Sequence, residues 1–174
     1  MAGLAAVGPG QRALELGMGT GNLALQLLAA GATVVGLDPS EAMLELARAK
    51  VGRNPRAVFL QSPQPFLTIP YADGAFDAVV STLAFHHVPP KHKPAAVGEM
   101  VRVLRPGGRW VLGDLVFLDE AAERQALQRR RPALEEEYFT RLVEIRPLFA
   151  KHGIELQAEQ LTAVLWVLCG RRPG

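Results

Sequence analysis

Between Ala13 and Gly31 an apolar run, a glycine-studded turn and a second apolar run follow without interruption: ALELGMGTGNLALQLLAAG. RALELG, bounded by Gly10 and Gly17, is short enough for a buried strand. Leu23, Ala24, Leu25, Leu27, Leu28 and Ala29 form a mostly apolar helix ending near Gly31. ATVVGLD then reads as a second strand that stops at Asp38. A strand, a tight glycine turn, a helix and a returning strand make a parallel crossover unit, and that unit commits the chain to the α/β class.

The alternation continues. Pro39 and Ser40 open a helix through EAMLELARAK, RAVFLQ is a third strand, and the Pro-rich SPQPFLTIPYADG is loop. AFDAVVSTLAF is a fourth strand with its exit, followed by HHVPPKHKP. A helix through AAVGEMVRVL and a turn at RPGG, residues 105–108, lead into a fifth strand, RWVLGDLVF. A charged helix is expected from Asp119 to about Arg130, and another from Pro132 to His152, bent near Pro147. GIELQAEQL and AVLWVLCGR close the chain as strands too near each other for a parallel crossover, so they pair antiparallel. In open sheets of this kind ligands sit at the carboxyl ends of the strands, where every polar cluster below falls.

Composition excludes several classes. The 174 residues suit one domain, 1–174, and 49% apolar against 21% charged residues is a globular balance. A net charge of +2, with Lys and Arg dispersed except at Arg129, Arg130 and Arg131, gives no strong case for nucleic acid; those three read as a solvated helix face. One cysteine, Cys169, forms no internal disulfide and reads as a buried strand residue in a reducing, cytoplasmic setting. No apolar run approaches the roughly 20 residues needed to span a bilayer, and the N-terminus lacks the pattern of a signal peptide.

Spacing decides what the glycine loop prefers. Gly17, Gly19 and Gly21 give G-x-G-x-G, whereas a dinucleotide fingerprint places its third glycine or alanine where Asn22 stands. The Gly-Lys-Ser/Thr of a P-loop is absent. Glu15, near the end of the first strand, repels an anionic pyrophosphate and suits an ammonium group. Asp38 ends the second strand in position to accept from two ribose hydroxyls. A ligand with an amino acid end, a ribose and no phosphate is S-adenosylmethionine.

Taken together, LELGMGTG, VVGLDPSEAML, FDAVVSTLAFHHV and VLRPGGRWVLGD resemble class I S-adenosylmethionine-dependent methyltransferases, and among them the small-molecule enzymes of ubiquinone and menaquinone biosynthesis. The resemblance covers nearly the whole chain. It implies a Rossmann-like, doubly wound, seven-stranded sheet of order 3-2-1-4-5-7-6 with the last strand antiparallel. It implies S-adenosylmethionine as cofactor and S-adenosylhomocysteine as product. Carried over by residue, Glu15 lies at the methionine end, while Gly17, Gly19, Thr20 and Gly21 form the loop along methionine and ribose. Asp38 holds the ribose, Pro39 and Met43 lie against the adenine side, and Ser81 and Leu83 touch the methionyl part.

Two features depart from the pattern. Relatives carry an acid after the third strand for the adenine amino group; here Ser62 and Gln64 are the available substitutes. Relatives also have some tens of residues before the first strand, where this chain has LAAV. The site is therefore expected to be open, or covered by segment 119–138 as a lid, by a second copy or by a partner subunit.

Methyl transfer from a sulfonium demands alignment first and a base only where the acceptor must lose a proton. His87 is the candidate for a catalytic or substrate-orienting role, and His86 for a cofactor contact. Asp114 is a further candidate near the acceptor or a loop cap, Asp77 is structural, and His92 and His152 read as surface residues. His86, His87 and His92 lack the ligand spacing of a metal site. STLAFHH does not match the N/D-P-P-Y/F signature of enzymes that methylate base amines, so a small-molecule O, N or C nucleophile is favoured. A non-catalytic cofactor-binding regulatory or assembly domain is the alternative, and an RNA or protein methyltransferase needing a partner is the third.

Overall fold

The computed structural model describes residues 1–128 and 137–174. The elements in order are α1 (Ala2–Ala5), β1 (Arg12–Leu16), α2 (Asn22–Ala29), β2 (Thr33–Asp38), α3 (Glu41–Val51), β3 (Ala57–Gln61) and β4 (Phe76–Thr82). Two 3₁₀ turns, Phe85–His87 and Pro90–His92, precede α4 (Lys93–Val103) and β5 (Leu104–Phe117). The chain continues with α5 (Glu120–Leu127), β6 (Thr140–Arg141), α6 (Leu142–Ala150), β7 (Gln157–Gln160) and β8 (Leu165–Arg171).

The strands form one sheet of order β3-β2-β1-β4-β5-β8-β7, with the two-residue β6 beside the end of β5. β1 to β5 pair in parallel, and β8 runs antiparallel to both β5 and β7. Apart from the extra strand β6, this is the arrangement expected from sequence. Its doubly wound character follows from side-chain alternation. Leu14, Leu16, Val35, Leu37, Val79 and Leu112 face α4 and α6, where Trp110 stacks on Phe149 at 3.7 Å between ring centroids. Ala13, Val34, Ala78, Val80, Val111 and Val167 face α2 and α3 in a second apolar layer. Glu15 and Gly36 belong by alternation to this second face, and the polar end of β1 thereby meets the start of α2.

Helix starts follow their local chemistry. The Ser40 hydroxyl accepts from the Met43 N–H at the start of α3, and the Asp119 carboxylate accepts from the Ala122 N–H at the start of α5. RPGG does not precede β5 as a separate turn but loops out within it. The register jumps from Phe76↔Leu104 to Ala78↔Arg109, with Gly107 at φ 72°.

The helix expected from Pro132 to His152 is interrupted among the described residues, with 137–141 not helical. Thr140 and Arg141 are drawn into pairing with Val116 and Phe117, so α6 starts only at Leu142. Pro147 lies inside α6. Arg129–Arg131 and the start of the helix expected after Pro132 lie outside the described residues. No described helix is long and apolar enough to cross a membrane.

Candidate active site

At the carboxyl ends of β1, β2 and β4 a cavity of about 880 Å³ opens, in the upper part of the roughly 300–1,000 Å³ usual for small-molecule sites. Glu15, Gly17, Gly19, Thr20, Asp38, Pro39, Met43, Leu83 and His87 line it, together with Gln64.

The glycine loop is shaped by what surrounds it. Gly17, Gly19 and Gly21 have φ of 64°, 53° and 75°, a left-handed backbone that side-chain-bearing residues adopt at a cost. A Cβ on Gly17 would stand 2.3 Å from the Ala84 Cβ, so the loop and the β4 exit can touch only without a side chain there. Gly19 is the opposite case, with open space where its Cβ would be. Its N–H donates to Asp38 Oδ2 at 2.7 Å, while Asp38 Oδ1 accepts from the Ser40 N–H at 2.9 Å. The carboxylate is thus aimed by two backbone donors and keeps lone pairs for a ligand.

Glu15 is 2% exposed, and its Oε2 has no hydrogen-bond partner. Burial pushes its pKa up to about 8; an N–H bond from Ala24 pulls the other way, and the nearby charge of Asp38 adds to the rise. An orphaned carboxyl oxygen at the wall of a ligand-sized cavity is a donor's place left open. Thr82 Oγ1, on the same cavity wall, is likewise buried without a partner.

Leu83 is a non-glycine residue at φ 51°, held there as its N–H donates to the Gly113 carbonyl at 2.8 Å. Strain of roughly 1–2 kcal/mol at such a residue marks a functional bend. It turns the chain from β4 into the 3₁₀ segment that carries the histidines.

Four expected site residues do not reach the cavity. Gly21 packs against α3, where a Cβ would lie 3.1 Å from the Ala47 Cβ. Ser81 is fully buried and donates its hydroxyl to the Leu16 carbonyl at 2.8 Å, bolting β4 to β1. Ser62 is buried beside the cavity, its N–H on the Asp38 carbonyl, while the adjoining Pro63, Gln64 and Pro65 line the wall. His86 faces away. Its Nδ1 is 2.5 Å from Asp114 Oδ1, its N–H donates to Asp114 Oδ2, and its Nε2 is 4.0 Å from Glu137.

Behind the cavity, then, lies a buried charged cluster. Burial opposes protonation of His86, but the hydrogen bond and charge of Asp114, with the charge of Glu137, outweigh it and hold its pKa above the usual value. Lys93 Nζ donates to the Tyr138 and Phe139 carbonyls and to Thr140 Oγ1. Its burial brings the pKa down to about 8 against the opposing charges of Asp114, Glu144 and Glu123. Tyr138 N–H donates in turn to the His86 carbonyl. Asp114 therefore anchors the histidine turn rather than facing an acceptor.

Sequence reasoning missed several lining residues. Phe66 and Leu67 come from the Pro-rich loop, and Val88, Pro89 and His92 from the segment after β4. Their common signal was proline punctuation around apolar residues next to a strand's carboxyl end. The sequence suggests a surface position for His92, whereas it lines the cavity. None of the described residues of 119–138 lines it. Among the described residues no group of three or more His, Cys, Asp or Glu could hold a metal ion.

Against this geometry the comparisons with known proteins are informative. A family model described as "Methyltransferase domain" matches residues 13–108, from β1 through the looped-out segment of β5. An "Uncharacterized methyltransferase" of Geobacillus thermodenitrificans is 38% identical over 167 residues, 91% of this chain and 76% of that protein. Two solved structures share the fold. A complex of the Haloferax volcanii Trm112 methyltransferase activator with a putative methyltransferase gives a TM-score of 0.80 at 19% identity, covering 99% of this chain and 86% of that one. Haemonchus contortus phosphoethanolamine N-methyltransferase 2 in complex with S-adenosyl-L-methionine gives 0.80 at 18%, covering 98% and 50%. With its central strands and loop inside the family model and nearly its whole length aligned to such a relative, the chain belongs to the methyltransferase family.

Proposed function

We propose that the cavity binds S-adenosylmethionine and that the chain, acting as a single domain over 1–174, passes the methyl group to a small-molecule nucleophile. The observation that carries this reading is the buried, partnerless Oε2 of Glu15 in one cavity with the Gly17–Gly19 loop and Asp38. The residues fit the cofactor's groups. Glu15 is a receptor for the ammonium group, and the open space over Gly19 lets backbone lie against the methionine and ribose. Asp38, aimed by two N–H groups, accepts from the ribose hydroxyls. Pro39, Met43 and Gln64 are assigned to the adenine side, with Gln64 in place of the acid that relatives carry.

When bound, the cofactor supplies an electrophilic methyl on a sulfonium, so the protein's work is alignment. Leu83 bends the wall, and His87 orients the acceptor or takes its proton. The Haemonchus contortus structure, which holds S-adenosyl-L-methionine on the same fold, supports the cofactor, though it establishes fold only. The Haloferax volcanii structure is a partner complex, and the open cavity keeps a covering partner or second copy as the second reading.

The test is thermal unfolding with S-adenosylmethionine and S-adenosylhomocysteine, paired with transfer of a labelled methyl group to a metabolite panel. Both ligands are expected to raise Tm. Gly19→Val, which places a branched side chain in the open space at φ 53°, is expected to remove the shift. No Tm shift with either ligand overturns the cofactor assignment; binding without transfer to any acceptor favours a non-catalytic binding domain.

A further inference from the structure

If Glu15, Asp38 and the glycine loop take the cofactor, the remainder of the cavity has a different character. Its wall is apolar, built from Phe66, Leu67, Val88 and Pro89, and it carries two imidazoles, His87 and His92, from consecutive 3₁₀ turns. Among the described residues the acids lining the cavity are Glu15 and Asp38, both at the glycine-loop end. The two acids that face His86, Asp114 and Glu137, do not line the cavity. Asp114 takes the Nδ1 and N–H of His86, and Glu137 stands 4.0 Å from its Nε2. Lys93, next to His92, spends its three donors on Tyr138, Phe139 and Thr140. The histidine wall thus offers imidazole N–H donors, and among the described residues that line it there is no carboxylate to receive a cation.

The rigidity of this wall is built in. The His86–Asp114 pairing and the Tyr138 N–H bond to the His86 carbonyl fix one 3₁₀ turn, and the rings of His86 and His87 lie 4.1 Å apart. The second turn opens on two prolines, Pro89 as its cap and Pro90 as its first residue. Two imidazoles on such a wall can each donate an N–H to an acidic oxygen, whereas an ammonium would be desolvated beside apolar side chains with no lining carboxylate among the described residues to pair with it.

We infer that His87 and His92 form the head-group subsite of the methyl acceptor, and that this acceptor is a small apolar molecule bearing an acidic oxygen, a phenol or a carboxylic acid. The inference rests on the cofactor reading above and goes beyond it by assigning His92 and a substrate class. His92 is a specificity-determining residue in it, one that holds the acceptor's acidic group.

The test uses the full chain saturated with S-adenosylhomocysteine and follows the imidazole C2–H resonances by NMR. Benzoate, phenol and benzylamine, close in size, are titrated in. At least one acidic probe is expected to shift the resonances of both His87 and His92 and to bind about tenfold or more tightly than benzylamine. Which acid does so distinguishes the carboxylic from the phenolic source. His92→Gln is expected to weaken the acidic probe about 3- to 30-fold while leaving S-adenosylhomocysteine affinity unchanged. Equal or tighter binding of benzylamine, acidic probes that leave both histidines unmoved, or no saturable binding of either acid each overturns the inference while the cofactor reading stands. Failure of S-adenosylhomocysteine itself to bind removes both.

Discussion

Replacing Glu15 with glutamine isolates the most unusual electrostatic feature of the molecule. The glutamine keeps the shape and an oxygen for the Ala24 N–H, and it removes the one group whose pKa burial carries from 4.5 to about 8. Between those values the folded chain holds a proton at Glu15 that the unfolded chain has lost. Unfolding stability therefore falls as pH rises, by about 1.4 kcal/mol per pH unit, toward a total on the order of 5 kcal/mol. At 2% exposure solvent screens this charge little.

Denaturant unfolding of both proteins from pH 5.5 to 7.5 reads the effect. The difference between them is expected to grow in favour of Glu15→Gln by about 2–3 kcal/mol across that range. His86, raised from 6.5, and Lys93, lowered to about 8, titrate in both proteins and cancel in the difference. Ligand binding adds a second reading. Below pH 7, where an α-ammonium stays protonated, S-adenosylhomocysteine is expected to expel the Glu15 proton, so its affinity rises with pH in the wild type and stays flat in Glu15→Gln. Parallel stability profiles for the two proteins would refute the buried-acid account.

Other consequences are checked more simply. Gly17→Ala, with a Cβ 2.3 Å from that of Ala84 and φ at 64°, is expected to cost about 2–4 kcal/mol in chemical denaturation and to abolish the ligand-induced Tm shift. Ser81→Ala should lose about 1 kcal/mol with S-adenosylhomocysteine affinity intact, since its hydroxyl serves the Leu16 carbonyl; a collapse of affinity contradicts that role. Asp114→Asn should lower the His86 titration midpoint seen by NMR, because the carboxylate charge is what overcomes burial there. Phe149→Ala, which removes the ring stacked on Trp110, should cost about 3–5 kcal/mol without changing ligand affinity.

The fold was legible because its signals are local and repeated. β1, α2, β2 and α3 are each announced by an apolar run with its own glycine, proline or serine punctuation, and β7–β8 by a connection too short for a crossover. β6 was not legible, since two residues carry no periodicity and their extension depends on Lys93 and on the end of β5. Along the cavity wall, the positions of Glu15, Gly17, Gly19 and Asp38 follow from spacing along one βαβ unit. Ser81 and His86 could not be assigned a side, because in each case a single distant partner, the Leu16 carbonyl or Asp114, decides which way the side chain turns. His92 and Phe66 reach the cavity only through loops whose paths no periodicity encodes.

The central claim is that Glu15, the glycine loop and Asp38 make a sulfonium-cofactor site, and titration calorimetry with S-adenosylhomocysteine tests it most directly. The wild type is expected to bind one molecule per chain, and Asp38→Ala to bind about 10- to 100-fold more weakly, the loss of hydrogen bonds to a charged acceptor. No saturable binding to the wild type, or equal affinity in Asp38→Ala, would contradict it.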